Sequence, residues 1–187
     1  MFVFLVVPSC RQTYYANTGS ITKSICTSKP ARYIVDTETN IKSVSTWCED
    51  YMFKSEKLRD ALDYFVIGYS EEFGVDEHKV WDLLANLVIE TSVMPREVKN
   101  VYDIRGKFKK SSPVAGLALN PNWIWVEVNT KFICESAFIH EIVHIILWRT
   151  QKVHGDPDHE GEEYSGWTRT HTDLIKRVNE DLCRLDI

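Results

Sequence analysis

One segment, AFIHEIVHIIL at residues 137–147, constrains the fold of this chain more than any other. Its polar side chains are those of His140, Glu141 and His144, and every other residue in it is apolar. A helix with apolar residues on all sides is expected to lie in the core of a domain. A carboxylate and two imidazoles are costly to bury without partners, so we expect the core to supply partners for them. A bound metal ion is one such partner.

The spacing of these polar residues is that of a metal-binding helix. His140 and His144 are four residues apart, so a helix places both imidazoles on the same face. Glu141 lies about 100° around the helix from His140, which lets its carboxylate reach a water beside the metal without binding the metal itself. Together they form the pattern H-E-x-x-H. Over residues 137–146, with uncharged neighbours and no proline, the segment resembles the zinc-binding signature of the zincin metallopeptidases.

The resemblance to the zincins implies a fold, a reaction and a substrate. The fold is α+β, with a small mixed β-sheet packed on helices around the central H-E-x-x-H helix. The reaction is endopeptidase hydrolysis of a peptide or protein substrate, with Zn²⁺ on the histidines and Glu141 as the general base. Zincins commonly bind the substrate peptide along an edge strand. The candidates are VAGLAL at residues 114–119, where Gly116 allows close backbone approach, and WIWVEV at residues 123–128.

A catalytic zinc ion needs a third protein ligand and keeps its fourth position for water or substrate. The metzincin continuation H-x-x-G-x-x-H is absent, because Leu147 and Thr150 occupy the positions of its glycine and third histidine. We favour His159, in HGDPDHEGEE, because a neutral imidazole is the commonest metal ligand and the acidic neighbours can accept a hydrogen bond from its second nitrogen. The other candidates are Asp156, Asp158, Glu162, Glu163 and His154.

Other interpretations of these residues stay open. One is a core helix whose histidines are satisfied by hydrogen bonds, and another is a structural metal site. Asp156, Asp158 and Glu160 also follow the spacing of a calcium-binding loop, but Trp167 stands where such a loop needs a glutamate. Further alternatives are hydrolysis of a non-peptide substrate and a surface-anchored binding protein on a metal-stapled or degenerate protease scaffold. Candidate second donors to the reacting carbonyl are Tyr164, Arg169 and His171.

The chain begins with MFVFLVVPSC, a short apolar run that ends at Cys10. This run resembles the end of a bacterial lipoprotein signal, in which the cysteine becomes lipidated. It departs from that pattern because it is short, has no basic residue before it and contains Pro8; a buried N-terminal strand is the alternative. We predict a leader and tether over residues 1–30 and one zincin-like domain over residues 31–187. Membrane attachment through Cys10 and an extracytoplasmic location, in the cell envelope or secreted, follow from this prediction.

The cysteines are consistent with an oxidising location. The chain has five, and none lies in the C-x-x-C spacing of a thiolate zinc site. With Cys10 lipidated, four remain, an even number that allows two disulfides in any of three pairings. Buried free thiols are the alternative. The four are Cys26, Cys48, Cys134 and Cys183.

Composition narrows the class of partner. The net charge of −5 argues against nucleic acid, because nucleic-acid-binding domains usually present a basic face. The basic cluster within residues 105–110 is explained by a solvated hairpin. No apolar stretch is long enough to span a membrane as a helix. At 187 residues, the chain is expected to form one domain that acts as a monomer.

Sequence periodicity predicts helices first, then a small sheet, then a long helix, a loop and a closing helix. Helical spacing predicts one helix capped by Ser55 and ended by Gly74, and a second capped by Asp76. β-branched and aromatic runs predict strands around residues 33–35 and in LVIETSV, VYDIRGKF, VAGLAL and WIWVEV. The H-E-x-x-H helix is predicted to span about 18 residues. The closing helix is RTHTDLIKRVNEDLCRL, with an inward stripe that includes Leu185.

Overall fold

A computed structural model describes residues 32–45, 53–92, 96–102, 108–128, 131–151, 159, 162–164 and 166–187, with the backbone alone for 96–102 and 108–113. The predicted leader and tether, with Cys10, lie outside the described residues, as do Cys26 and Cys48. The alternative ligands His154, Asp156 and Asp158 also lie outside them.

Seven strands occur in the described part of the chain. They are β1 (Arg32–Asp36), β2 (Ile41–Ser45), β3 (Val88–Ser92), β4 (Arg96–Tyr102), β5 (Phe108–Val114), β6 (Gly116–Asn120) and β7 (Trp123–Glu127). Five of them form a mixed sheet in the order β1-β2-β3-β7-β6, and β4 pairs with β5 in a separate antiparallel hairpin. Within the sheet, β2, β3 and β7 are parallel, and the edge strands β1 and β6 run antiparallel to their neighbours.

The described α-helices are α1 (Ser55–Phe73), α2 (Glu77–Leu84), α3 (Phe138–Gln151) and α4 (Arg169–Arg184). The first two connect β2 to β3, because parallel neighbours cannot be joined by a tight turn and need a crossover. A mixed sheet with four helices confirms the predicted α+β class. None of the described helices has both the length and the apolar character needed to cross a membrane.

The ends of α1 and α2 follow local sequence signals. Gly74 ends α1 in the left-handed region, with φ of 64°, which glycine adopts without steric cost. Asp76 caps α2, and its carboxylate accepts the backbone N–H of His78 at 3.0 Å. Both ends were predicted. Helix α1 begins at Ser55, near the predicted start, but its N-cap residue is Lys54 rather than Ser55.

Helix α3 lies in the centre of the core, as its apolar sequence predicts. It packs on β6 and β7 and also contacts α2 and α4. All of residues 138–147 except His140 are buried. At the end of the helix, the Arg149 guanidinium donates to the carbonyl oxygens of Pro121 and Leu83. These bonds anchor α3 to the β6–β7 turn and to the end of α2.

Strand β7 separates two apolar clusters. Ile124 and Val126 join the main core, whereas Trp125 forms a second cluster with Leu117. Successive side chains of a strand point to opposite faces of the sheet, which explains this division. The buried indole N–H of Trp125 donates to the Ser92 hydroxyl at 2.9 Å. Both faces of the sheet are therefore covered at β7.

A disulfide joins Cys134, in a short 3₁₀ turn (Ile133–Glu135), to Cys183 in the last turn of α4. The number of cysteines alone did not show which of them pair, and this bond identifies one pair. The two cysteines are 49 residues apart, and α3, His159 and most of α4 lie between them. The bond therefore closes the part of the chain that carries the predicted metal ligands.

Two sequence predictions were wrong about where elements begin. Strand β2 was missed, because two of its three buried residues are Ser43 and Ser45, which carry no apolar signal. The described order therefore opens with two strands, the predicted β1 and the missed β2, rather than with helices. Helix α3 has 14 residues rather than about 18. The 3₁₀ turn precedes it, and the Ser136 hydroxyl accepts the N–H of Phe138 at 3.2 Å and caps the helix there.

Two further details differ from the sequence predictions. The predicted strand VYDIRGKF, residues 101–108, holds the end of β4 and the start of β5, two strands of one hairpin. Leu185 was placed on the inward stripe of α4, but the helix ends at Arg184 and Leu185 is 50% exposed.

The disulfide is expected to contribute strongly to stability. For a closed loop of this length, the double variant Cys134→Ser/Cys183→Ser should lose about 4 kcal/mol in free energy of unfolding. Urea denaturation of metal-free wild type and variant measures the difference. In reductant the two proteins should converge, because wild type then lacks the bond as well. Equal midpoints without reductant would contradict the expectation.

Candidate metal centre

Three imidazoles converge on one point. His140 and His144 come from adjacent turns of α3, and His159 comes from the segment between α3 and α4. Nε2 of His144 lies 3.1 Å from Nε2 of His140 and 3.3 Å from Nε2 of His159. One ring nitrogen from each residue lies within 4.8 Å of the other two. The structure thus brings the predicted pair together with the favoured third candidate.

These distances fit a bound metal ion. Zinc binds imidazole nitrogen at about 2.0–2.1 Å, and a tetrahedral arrangement then sets neighbouring nitrogens about 3.3 Å apart. A ring nitrogen has either one N–H or one lone pair, so it can make one hydrogen bond in the ring plane. Nε2 of His144 is close to two other ring nitrogens, which a single hydrogen bond does not explain and a shared ion does. The three histidines are close enough to hold a metal ion, and this geometry leaves the identity of the ion open.

Burial keeps the central imidazole neutral. The exposed fractions of His144 and His159 are 2% and 4%, whereas His140 is half-buried. Burial lowers the pKa of His144 well below its ordinary value, and the neighbouring His159 lowers it further. At pH 7 this imidazole is therefore uncharged, the form in which histidine binds metals. The half-buried His140 marks the side from which solvent reaches the site.

Glu162, Tyr164 and Trp167, which follow His159 in the chain, contact the imidazole rings. The Nδ1–H group of His159 donates to the Glu162 carbonyl at 3.1 Å. The Tyr164 hydroxyl lies 3.2 Å from Nδ1 of His144. Trp167 packs on all three imidazoles, with centroid distances of 4.8, 4.9 and 4.4 Å to residues 140, 144 and 159. Two backbone hydrogen bonds between Tyr164 and Trp167 close a short turn.

Trp167 is a site residue that sequence reasoning missed, because it was considered only as a mismatch in a calcium loop. It is 1% exposed. Its indole N–H donates to the Thr172 hydroxyl at 2.9 Å, in the first turn of α4, which fixes the orientation of the ring. The signal that points to it is YSGW, in which Tyr164 and Trp167 flank a Ser-Gly turn dipeptide.

Glu141 is buried against β6. Its exposed fraction is 3%. A Cβ atom added to Gly116 would come within 2.5 Å of the Glu141 Oε1 atom and 2.7 Å of the Ala137 Cβ atom. A glycine at this position therefore lets β6 pass close to α3 and leaves room for the carboxylate. The close approach predicted for Gly116 is thus a contact with α3.

The remaining sequence candidates lie outside the histidine cluster or have other contacts. Glu162 and Glu163 are exposed, and the Glu162 group that contacts His159 is its backbone carbonyl oxygen. Arg169 is exposed and forms an ion pair within α4. His171 accepts the N–H of Thr168 at the start of α4, and burial lowers its pKa. Among the described hydrogen bonds, one of the three predicted second donors contacts the histidine cluster. It is Tyr164, whose hydroxyl lies beside His144.

Gly116→Ala tests the packing of Glu141 against β6. The added methyl group is expected to displace the Glu141 carboxylate and to lower the free energy of unfolding by about 1–3 kcal/mol, the usual cost of overpacking. The matched control is Gly68→Ala in α1, where the nearest side-chain atom is 3.1 Å from the added Cβ and helix propensity favours alanine. The control should change the free energy of unfolding less than Gly116→Ala does. Denaturant unfolding measures both, and a Gly116→Ala variant as stable as wild type would contradict this packing.

Comparison of this chain with protein-family models, with curated proteins and with solved structures finds no match. Its function is therefore argued from the geometry of the site.

Proposed function

We propose that this protein is a zinc-dependent metallopeptidase of the zincin type, an endopeptidase that acts on peptide or protein substrates. The observation that carries the proposal is the convergence of His140, His144 and His159, with the buried Glu141 carboxylate on the same helix as two of them. The mixed sheet, with its antiparallel edge strand β6 packed against that helix, supports the zincin assignment.

Zinc is the metal that this set of ligands favours. Three imidazoles suit Zn²⁺, copper, iron or nickel, and three protein ligands with an open fourth position are typical of catalytic zinc sites. Structural zinc sites are closed by four protein ligands and often use cysteine. The cysteines that the structure describes, Cys134 and Cys183, are joined in a disulfide and are not available as thiolates.

Glu141 supplies the base. When bound, zinc supplies a Lewis acid that activates a water molecule. The Glu141 carboxylate takes a proton from the attacking water and delivers it to the leaving amine. The carboxylate is buried beside Gly116, so that it does not need to be ordered when substrate binds.

The substrate is proposed to bind along β6. Of the two candidate segments, WIWVEV forms β7, which is flanked by β3 and β6, whereas VAGLAL contains the edge strand itself. An extended peptide adds to the edge of a sheet through main-chain hydrogen bonds. Gly116, the first residue of β6, lies beside Glu141, so a peptide along this strand runs past the proposed base.

An extracytoplasmic location is part of the proposal. Disulfides persist in oxidising compartments and are rare in the cytosol, and the Cys134–Cys183 bond supports such a location. Attachment through a lipidated Cys10 remains a prediction from the sequence.

Glu141→Gln separates hydrolysis from metal binding. The variant keeps the size of the side chain and all three histidines but lacks the base. We expect it to retain one zinc ion per chain and to lose peptide hydrolysis by on the order of 10²–10⁴-fold. His159→Ala should lose zinc and hydrolysis together. Metal content by mass spectrometry and cleavage of a peptide library measure the two properties on chelator-free protein.

The control is Glu135→Gln, which makes the same change at an exposed residue of the 3₁₀ turn and should leave both properties unchanged. Wild-type hydrolysis by Glu141→Gln would exclude this residue as the base. Zinc-loaded wild type that cleaves no peptide would favour a surface-anchored binding protein. Wild type that is folded but contains no zinc would favour the alternative in which the histidines are hydrogen-bonded residues of a core helix.

A further inference from the structure

We propose that Tyr164 is a positioning residue for the metal, which acts by holding His144 in the tautomer that leaves Nε2 free to bind. This inference rests on the metal centre proposed above. It assigns a role to the hydroxyl group that contacts the central imidazole of the three.

The two ring nitrogens of His144 have different surroundings. Its Nε2 atom faces Nε2 of both His140 and His159, so the metal side of the ring is Nε2. A neutral imidazole carries one proton, on one nitrogen or the other. If Nε2 binds the metal through its lone pair, the proton resides on Nδ1. The group 3.2 Å from Nδ1 is the Tyr164 hydroxyl, whose oxygen can accept that N–H.

His159 is held by the same short segment in the same way. Its Nδ1 atom is 3.1 Å from the Glu162 carbonyl, which can only accept, so the proton resides on Nδ1 and Nε2 is left for the metal. Residues 162–164 thus fix two of the three ligands in matching tautomers. The backbone provides one acceptor, and the side chain of Tyr164 provides the other. A partner on the second nitrogen both orients a metal-binding histidine and raises its basicity.

Tyr164 is well placed to do this because its own position is fixed. Its backbone N–H donates to the Trp167 carbonyl at 3.1 Å, and its carbonyl accepts the Trp167 N–H at 2.9 Å. Its ring packs on His159, with a centroid distance of 4.8 Å, and stacks towards Trp167 at 6.1 Å. The hydroxyl therefore reaches His144 without the side chain having to be ordered on metal binding.

The geometry also separates Tyr164 from the chemistry. Its hydroxyl lies at Nδ1 of His144, whereas the three Nε2 atoms converge on the other side of the ring. Tyr164 was a candidate second donor to the reacting carbonyl. In this position it acts through His144 instead, so its loss should weaken metal binding first.

The test is the affinity for Zn²⁺ of Tyr164→Phe, measured by competition with a chelating indicator. Phenylalanine keeps the ring packing and removes the hydroxyl, and loss of such a partner typically weakens metal affinity by about 10–100-fold. The matched control is Tyr69→Phe, which removes a buried hydroxyl from α1 and should leave the affinity unchanged. Thermal unfolding of the metal-free proteins shows that each variant folds.

A spectroscopic measurement separates this role from a purely structural one. In zinc-loaded, ¹⁵N-labelled wild type, the hydrogen-bonded Nδ1–H protons of His144 and His159 should both be visible by NMR. In Tyr164→Phe the His144 Nδ1–H signal should move upfield because it loses its hydrogen-bond acceptor, while the His159 signal stays in place because its partner is a backbone carbonyl.

The outcomes distinguish this inference from the proposed function. Unchanged zinc affinity and an unshifted His144 signal in Tyr164→Phe would overturn the role of Tyr164, whether or not the wild type cleaves peptides. Weakened affinity in a protein that cleaves no peptide would support Tyr164 and reject the peptidase. Wild type that binds no zinc would overturn both.

Discussion

The cost of burying Glu141 and His144, beside the half-buried His140, inside an apolar helix is the constraint on which the rest of this structure depends. Helix α3 has to be apolar on nearly every side, because it packs on β6 and β7 and also contacts α2 and α4. The same burial removes water from the Glu141 carboxylate and the His144 imidazole, which then need other partners. His159 and the Tyr164 hydroxyl bring partners to His144 from outside the helix. A metal ion bound by the three Nε2 atoms would be the remaining partner of these imidazoles.

The segment that supplies these partners is held at both ends by bonds that do not involve a metal. Arg149 fixes the end of α3 to the β6–β7 turn and α2, and Trp167 is tied to Thr172 at the start of α4. The Cys134–Cys183 disulfide then closes the whole region. A site built this way is largely formed without a metal, so little free energy would be lost in ordering it if an ion binds.

The sequence predicted those parts of the site that depend on local geometry. His140 and His144 share a face because of helical spacing, and Gly74 and Asp76 mark helix ends through their own backbone chemistry. Long-range contacts were not predictable in this way. The approach of Gly116 to Glu141 and the packing of Trp167 on the histidines depend on how distant segments meet in three dimensions. Strand β2 was missed because two of its three buried residues are serines, whereas the class of fold could be predicted without it.

The most direct measurement is a crystal structure of zinc-loaded protein with data collected at the zinc absorption edge. We expect one anomalous peak, about 2.0–2.1 Å from Nε2 of His140, His144 and His159, with the Glu141 carboxylate beside it and not bound to it. A peak at another place, or one bound by Glu141 in place of His159, would contradict the proposed centre and the role of Glu141 as its base.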